Sequence, residues 1–176
     1  LSAGRFTWEK DFPTLLRAFR ILRANRPARL VILGDGPDRD GLENLAAELG
    51  ISGDVALPGF IANPYPFMKR CSVFALSSVT EGLPMVLIEA LACGAAIVAT
   101  DCPSGPSEIL ETGRFGTLVP VGDVEGLALA LMRALDQPAD PEACRARAAD
   151  FALERISRQV LELTRRLAAG VERGND

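Results

Sequence analysis

Two glutamates eight positions apart, Glu81 and Glu89, flank the run Glu81-Gly-Leu-Pro-Met-Val-Leu-Ile-Glu89. Proline suits the first position of a helix, so this run predicts a helix over 84–93, closed by Gly94. The residues stacked around Glu89 on such a helix are Met85, Val86, Ala92 and Cys93, all apolar. A carboxylate in that setting is expected to be partly buried. An unpaired buried charge is costly, so the fold or a ligand must supply hydrogen-bond donors, and the two hydroxyls of a ribose fit that need. Glu81 is left in the loop ahead of the helix. There the backbone N–H groups of Gly82 and Leu83, just before Pro84, are free to hold phosphate or sugar oxygens, and the helix dipole favours an anion.

A second group of polar residues lies near the start of the chain. Arg5 and Lys10 bracket the loop that begins at Gly4, and Lys10 and Lys69 are the only lysines. Two readings of this loop stand side by side: Arg5 and Lys10 grip a diphosphate, or the loop is solvated with Arg5 paired to Glu9 or Asp11. Further along, Gly34-Asp-Gly-Pro-Asp-Arg follows an apolar run in the manner of a dinucleotide fingerprint. Arg39 replaces its third glycine, however, and Pro37 removes an N–H, which argues against a nicotinamide cofactor. Asp38 and Asp40 form a D-x-D pattern that first-turn helix acids explain without a metal. Phe60 and Ile61, beside Gly59, offer a slot for a flat base or a core turn.

To act together, these residues must be carried to one place. Short β-branched runs alternate with amphipathic stretches, the pattern of βαβ units around a parallel sheet. Strands are expected near residues 1–4, 29–33, 55–57, 73–77, 95–100 and 116–119. Helices are expected over 11–25, 38–49, 64–70, 84–93 and 123–135, with a helical turn at 107–111 and two helices to finish. Gly4-Arg5, Gly34, Gly59-Phe60 and Ser77 to Glu81 then fall at the carboxyl ends of four strands, the edge where open parallel sheets bind ligands. The last segment carries Leu153, Ile156, Val160, Leu163 and Leu167 on one stripe, expected to pack on the sheet. A membrane contact through Arg155, Arg158, Arg165 and Arg166, or docking to another domain, is the alternative.

Composition narrows the field. The 176 residues are 48% hydrophobic, enough for one globular domain. A formal net charge of −4 gives no support for nucleic-acid binding. With no histidine, and with Cys71, Cys93, Cys102 and Cys144 outside C-x-x-C spacing, the usual zinc sets are largely excluded and free thiols are expected. No bilayer-spanning run is present, so a cytoplasmic location is expected. The opening Leu-Ser-Ala-Gly reads as the end of a strand, and the chain as a domain excised from a longer protein.

In its order of motifs the chain resembles the C-terminal, donor-binding half of a retaining GT-B glycosyltransferase of group 1. The resemblance rests on Gly4-Arg5-Phe6 followed by Lys10, on Val31-Ile-Leu-Gly-Asp-Gly-Pro, on Gly59-Phe60, and above all on Glu81-Gly-Leu-Pro through Glu89, which matches the E-x7-E motif. It implies a Rossmann-like, doubly wound α/β domain spanning residues 1–176, with 151–170 as a terminal helix docking toward an absent N-terminal, acceptor-binding domain. It also implies roles: Arg5 and Lys10 on the diphosphate, Glu81 on the donor sugar, and Gly4, Gly34, Gly82, Leu83 and Pro84 lining the donor. Glu89 would take the ribose hydroxyls, and Phe60 and Ile61 the base. The implied reaction is metal-independent transfer from a nucleotide-sugar, most simply a UDP-sugar, in cell-surface polysaccharide or lipid-linked glycan assembly. No cofactor is expected, and the parent protein could sit peripherally at the inner face of the membrane. Asp11 and Trp8 depart from the family pattern in the first loop. A nucleotide-sugar epimerase or phosphorylase of the same architecture, or a non-enzymatic nucleotide-binding module, remains the alternative.

Overall fold

The computed structural model describes residues 1–172, with side chains through 166. Among the described residues six strands carry the fold: β1 (Ser2–Ala3), β2 (Leu30–Leu33), β3 (Val55–Ala56), β4 (Val73–Leu76), β5 (Ala96–Thr100) and β6 (Thr117–Val119). They pair in parallel within two ladders, β1-β2-β3 and β4-β5-β6. Leu1 joins the ladders. Its nitrogen donates to the Val73 carbonyl at 2.9 Å, its carbonyl accepts the Ala75 N–H at 2.8 Å, and Ser2 Oγ donates to the Ala75 carbonyl at 2.8 Å. The result is one six-stranded sheet in the order β3-β2-β1-β4-β5-β6. The strand order therefore reverses between β1 and β4, and the crevice at that switch point is where a doubly wound sheet receives its ligand.

The sheet separates two cores, because successive side chains of a strand face opposite ways. Val73 and Ala75 of β4 join Ile32 and Val98 under helices α1 (Phe12–Asn25), α2 (Arg39–Glu48) and α6 (Val124–Asp136). Phe74 and Leu76 join Leu33, Ile97 and Ala99 under α3 (Tyr65–Met68), α4 (Met85–Ala92), α5 (Pro106–Ile109) and α7 (Pro141–Ala149). Capping fixes where the helices begin. The Asp11 carboxylate accepts the Thr14 N–H at 3.3 Å ahead of α1, and the Asp123 carboxylate accepts the Gly126 N–H at 2.8 Å ahead of α6. Gly94 closes α4 with a φ of 77°, the left-handed turn that glycine adopts freely.

The last helix, α8 (Leu153–Glu172), corrects one expectation. Its stripe does not pack on the sheet: Leu153, Ile156, Val160 and Leu163 are all exposed, Leu153 to 76%. The reason is topological. Both faces of the sheet are already covered, so this helix has no place left on it. Leu167 lies outside the residues whose side chains are described. Among the described residues no helix is long and apolar enough to cross a membrane.

Candidate functional site

The loop after β1 and the loop after β4 meet across the switch point. Lys10 Nζ donates to Glu81 Oε1 at 2.6 Å, and Ser78 Oγ donates to the same oxygen at 2.6 Å. Backbone contacts hold the two loops in register. Ser77 Oγ donates to the Lys10 carbonyl at 2.8 Å, and the Val79 N–H donates to the Glu9 carbonyl at 2.8 Å. Thr100, at the end of β5, donates through Oγ1 to the Ser78 carbonyl at 2.6 Å. Ser77, Ser78 and Thr100 are essentially inaccessible to solvent. Buried hydroxyls must be paired, and here the pairing builds the floor of the site. Sequence reasoning named the Ser77 to Glu81 stretch but did not single out these hydroxyls. Their signal was available: three polar residues at the ends of otherwise apolar strands.

Of the two readings of the first loop, the one that pairs Arg5 with Glu9 or Asp11 is not realised. Lys10 faces Glu81. Among the described residues Arg5 makes no ion pair with Glu9 or Asp11. Asp11 is occupied as the cap of α1, and the Glu9 carboxyl is held below the ordinary glutamate value first by the Thr7 side chain and then by a hydrogen bond from its own backbone. Arg5 is exposed at the carboxyl end of β1. Asp11 has a φ of 42°, a left-handed conformation in which glycine, asparagine and aspartate are the least strained residues, so its presence here is conformational.

Glu89 differs in kind from Glu81. It lies on α4, half-buried, and among the described residues its side chain has no hydrogen-bond or ion-pair partner. Burial pushes its carboxyl above the ordinary value of 4.5. The apolar ring expected around it is only partly closed, since Met85 and Ala92 are exposed while Val86 and Cys93 are half-buried.

The Gly34 loop frames the site from the β2 side. Gly34 has a φ of 136°, and a Cβ built there would stand 1.9 Å from the Gly4 carbonyl oxygen, so no other residue fits without moving the backbone. A Cβ on Gly36 would meet the Phe6 backbone at 2.4 Å. These glycines thus brace the first loop. Arg39, standing where a dinucleotide fingerprint has glycine, bonds Asp35 at 2.9 Å and the Leu57 carbonyl at 3.1 Å and covers the Phe6 ring.

On the other side, Gly82 and Leu83 are exposed ahead of α4 and Pro84 is buried. A Cβ on Gly105 would lie 2.3 Å from Pro84 Cδ and 2.8 Å from the Gly82 carbonyl, so the loop after β5 presses on this turn. Phe60 is 79% exposed and Ile61 half-buried against the core, so the described residues form no closed aromatic slot. Phe60 follows β3, an edge strand, where no neighbouring strand end can wall it in. A cavity of about 630 Å³, lined by Leu1, Leu30, Val73 and Leu135 among others, opens at the opposite ends of the strands, remote from these residues.

Comparison with known proteins identifies the family and the fold. Residues 1–151 match the family model described as "Glycosyl transferases group 1". The chain is 38% identical over 166 residues to an N-acetylgalactosamine-N,N'-diacetylbacillosaminyl-diphospho-undecaprenol 4-alpha-N-acetylgalactosaminyltransferase of Campylobacter jejuni, covering 92% of this chain and 45% of that protein. It is 37% identical over 150 residues to the lipopolysaccharide core biosynthesis glycosyltransferase LpsE of Rhizobium meliloti, covering 85% and 42%. Among solved structures it superposes on S. aureus TarM, in complex with Fondaparinux, alpha-GlcNAc-glycerol and UDP, with a TM-score of 0.85 at 19% identity, covering 92% of this chain and 34% of the other. On Anabaena HepE in complex with UDP the TM-score is 0.79 at 24% identity, covering 93% and 48%. The chain belongs to the group 1 glycosyltransferases, and its fold is the Rossmann-like domain of the GT-B architecture. It spans less than half the length of these curated relatives.

Proposed function

We propose that this chain is the donor-binding domain of a retaining glycosyltransferase that takes its sugar from a UDP-sugar. The observation that carries this reading is Glu89: a half-buried carboxylate without a protein partner among the described residues, on the helix that opens beside the switch point. Ribose hydroxyls would supply the donors it lacks. Arg5 and Lys10 would face the diphosphate, Glu81 the hydroxyls of the sugar, the exposed Gly82-Leu83 backbone the donor oxygens, and Phe60 and Ile61 the base.

In the transfer the bond between the anomeric carbon and the phosphate oxygen breaks, and a bond from that carbon to the acceptor oxygen forms on the same face. The acceptor's proton passes to the departing phosphate. Negative charge grows on that phosphate, where Arg5 and Lys10 would stabilise it without a divalent ion. Glu81 orients the sugar. An acceptor-binding domain would complete the cleft, with the exposed stripe of α8 as its docking surface. The names of the relatives from Campylobacter and Rhizobium favour lipid-linked glycan or cell-surface polysaccharide as the product class.

Calorimetric titration with UDP, GDP, UDP-N-acetylglucosamine and NAD tests the reading. UDP and its sugar are expected to bind saturably, with affinity reduced at least about tenfold in both Glu89→Ala and Arg5→Ala. Binding of NAD instead, or nucleotide binding indifferent to both substitutions, would reject it.

A further inference from the structure

Lys10 and Glu81 meet directly, although one is assigned to the diphosphate and the other to the sugar. We propose that this contact lets the site distinguish a sugar-loaded donor from the bare nucleoside diphosphate left after transfer, with Lys10 exchanging Glu81 for phosphate only when a sugar takes its place. The inference rests on the donor-site reading above.

Glu81 Oε1 already receives Lys10 Nζ and Ser78 Oγ, while Oε2 takes no protein hydrogen bond among the described residues. The Glu81 side chain is only 9% exposed, against 23% for Lys10. If a diphosphate drew Lys10 away, Glu81 would keep a single neutral hydroxyl as partner in a nearly closed setting, a costly state for a carboxylate. Bare UDP therefore competes with Glu81 for the same ammonium. A donor does not, because its sugar hydroxyls can bond to Glu81 as Lys10 leaves. The Lys10 side chain borders solvent, and its own carbonyl is anchored by Ser77. The loop is held while the ammonium moves.

The consequence is a low affinity for the spent nucleotide, which aids its release, at no loss of affinity for the donor. Trp8, the only tryptophan, is two residues from Lys10 and reports on this loop by fluorescence. The experiment is a fluorescence titration with UDP, and with whichever of UDP-N-acetylgalactosamine, UDP-N-acetylglucosamine and UDP-glucose binds most tightly. It is run on the wild type, Glu81→Gln, Lys10→Ala and the double variant. Glu81→Gln removes the competing charge, so UDP should bind at least about fivefold tighter than to the wild type, while the UDP-sugar gains nothing. In the double variant that gain should vanish, leaving the UDP affinity of Lys10→Ala. Should Glu81→Gln fail to fold, Glu81→Asp, whose shorter carboxylate draws back from Lys10, is expected to shift UDP binding in the same direction. UDP affinity unchanged or weakened in the folded Glu81 variant overturns the exchange while leaving the donor site standing. No binding of either ligand by the wild type overturns both.

Discussion

Glu81 and Glu89 are the same residue type on one short stretch of chain, yet their surroundings are opposites. Glu81 sits where two loops converge and is held by a cation and a hydroxyl contributed by the fold itself. Glu89 sits on a regular helix and is left with apolar neighbours and an upward-shifted carboxyl. The difference follows from position. A loop at the switch point can be reached by another loop, whereas a residue one turn into a helix is reached only by what lies across the cleft. Glu81 therefore contributes to the stability of the fold, and Glu89 detracts from it.

Substitutions should expose that contrast. Lys10→Ala strands the Glu81 carboxylate and should cost about 2 kcal/mol in urea denaturation; this is below the usual figure for a fully buried pair because Lys10 is partly solvated. A loss under about 0.5 kcal/mol would mean that Glu81 is solvated too, and the contrast would disappear. Ser78→Ala removes the second bond to Glu81 and should cost about 1 kcal/mol by the same measurement. Glu89→Gln should have the opposite sign at neutral pH, a gain of less than about 1 kcal/mol, because it removes a poorly solvated charge.

The pH dependence of that last difference sharpens the contrast further. Burial raises the folded-state value of Glu89 above 4.5, so between 4.5 and the raised value the folded protein binds more protons than the unfolded chain. Stability from this group is thus fully present below about pH 4.5 and is lost as pH rises through the raised value. The Gln variant lacks this term. Its advantage over the wild type should grow from pH 4 to pH 7, and a difference independent of pH would show that Glu89 is solvated.

Much of the fold was legible because its signals are local. The alternation of β-branched runs with amphipathic stretches located every strand and crossover helix, with small shifts at the ends: β3 stops at Ala56 and α3 at Met68. The strand-end placement of Gly4, Gly34, Phe60 and Glu81 followed from the same pattern. Which strand ends adjoin was not legible, since the neighbourhood of β1 and β4 is set by long-range pairing. For that reason Lys10 and Glu81 were read as separate contacts rather than as a pair. Periodicity marked the apolar face of α8 but could not say what covers it, and the sheet proved to be full. The exposure of Phe60 was hidden similarly, because its sequence neighbours do not reveal that β3 is an edge strand.

The close backbone packing around Gly34, Gly36 and Gly105 bears on how this domain could be re-engineered. Each glycine presses on a different loop from its own: Gly34 on Gly4, Gly36 on Phe6, and Gly105 on the turn from Gly82 to Pro84. The rim of the cleft is consequently not a set of independent modules. A loop transplanted singly from a relative would meet a neighbour shaped for its predecessor, so chimeras should exchange the loops after β1 and β2 together, and those after β4 and β5 together.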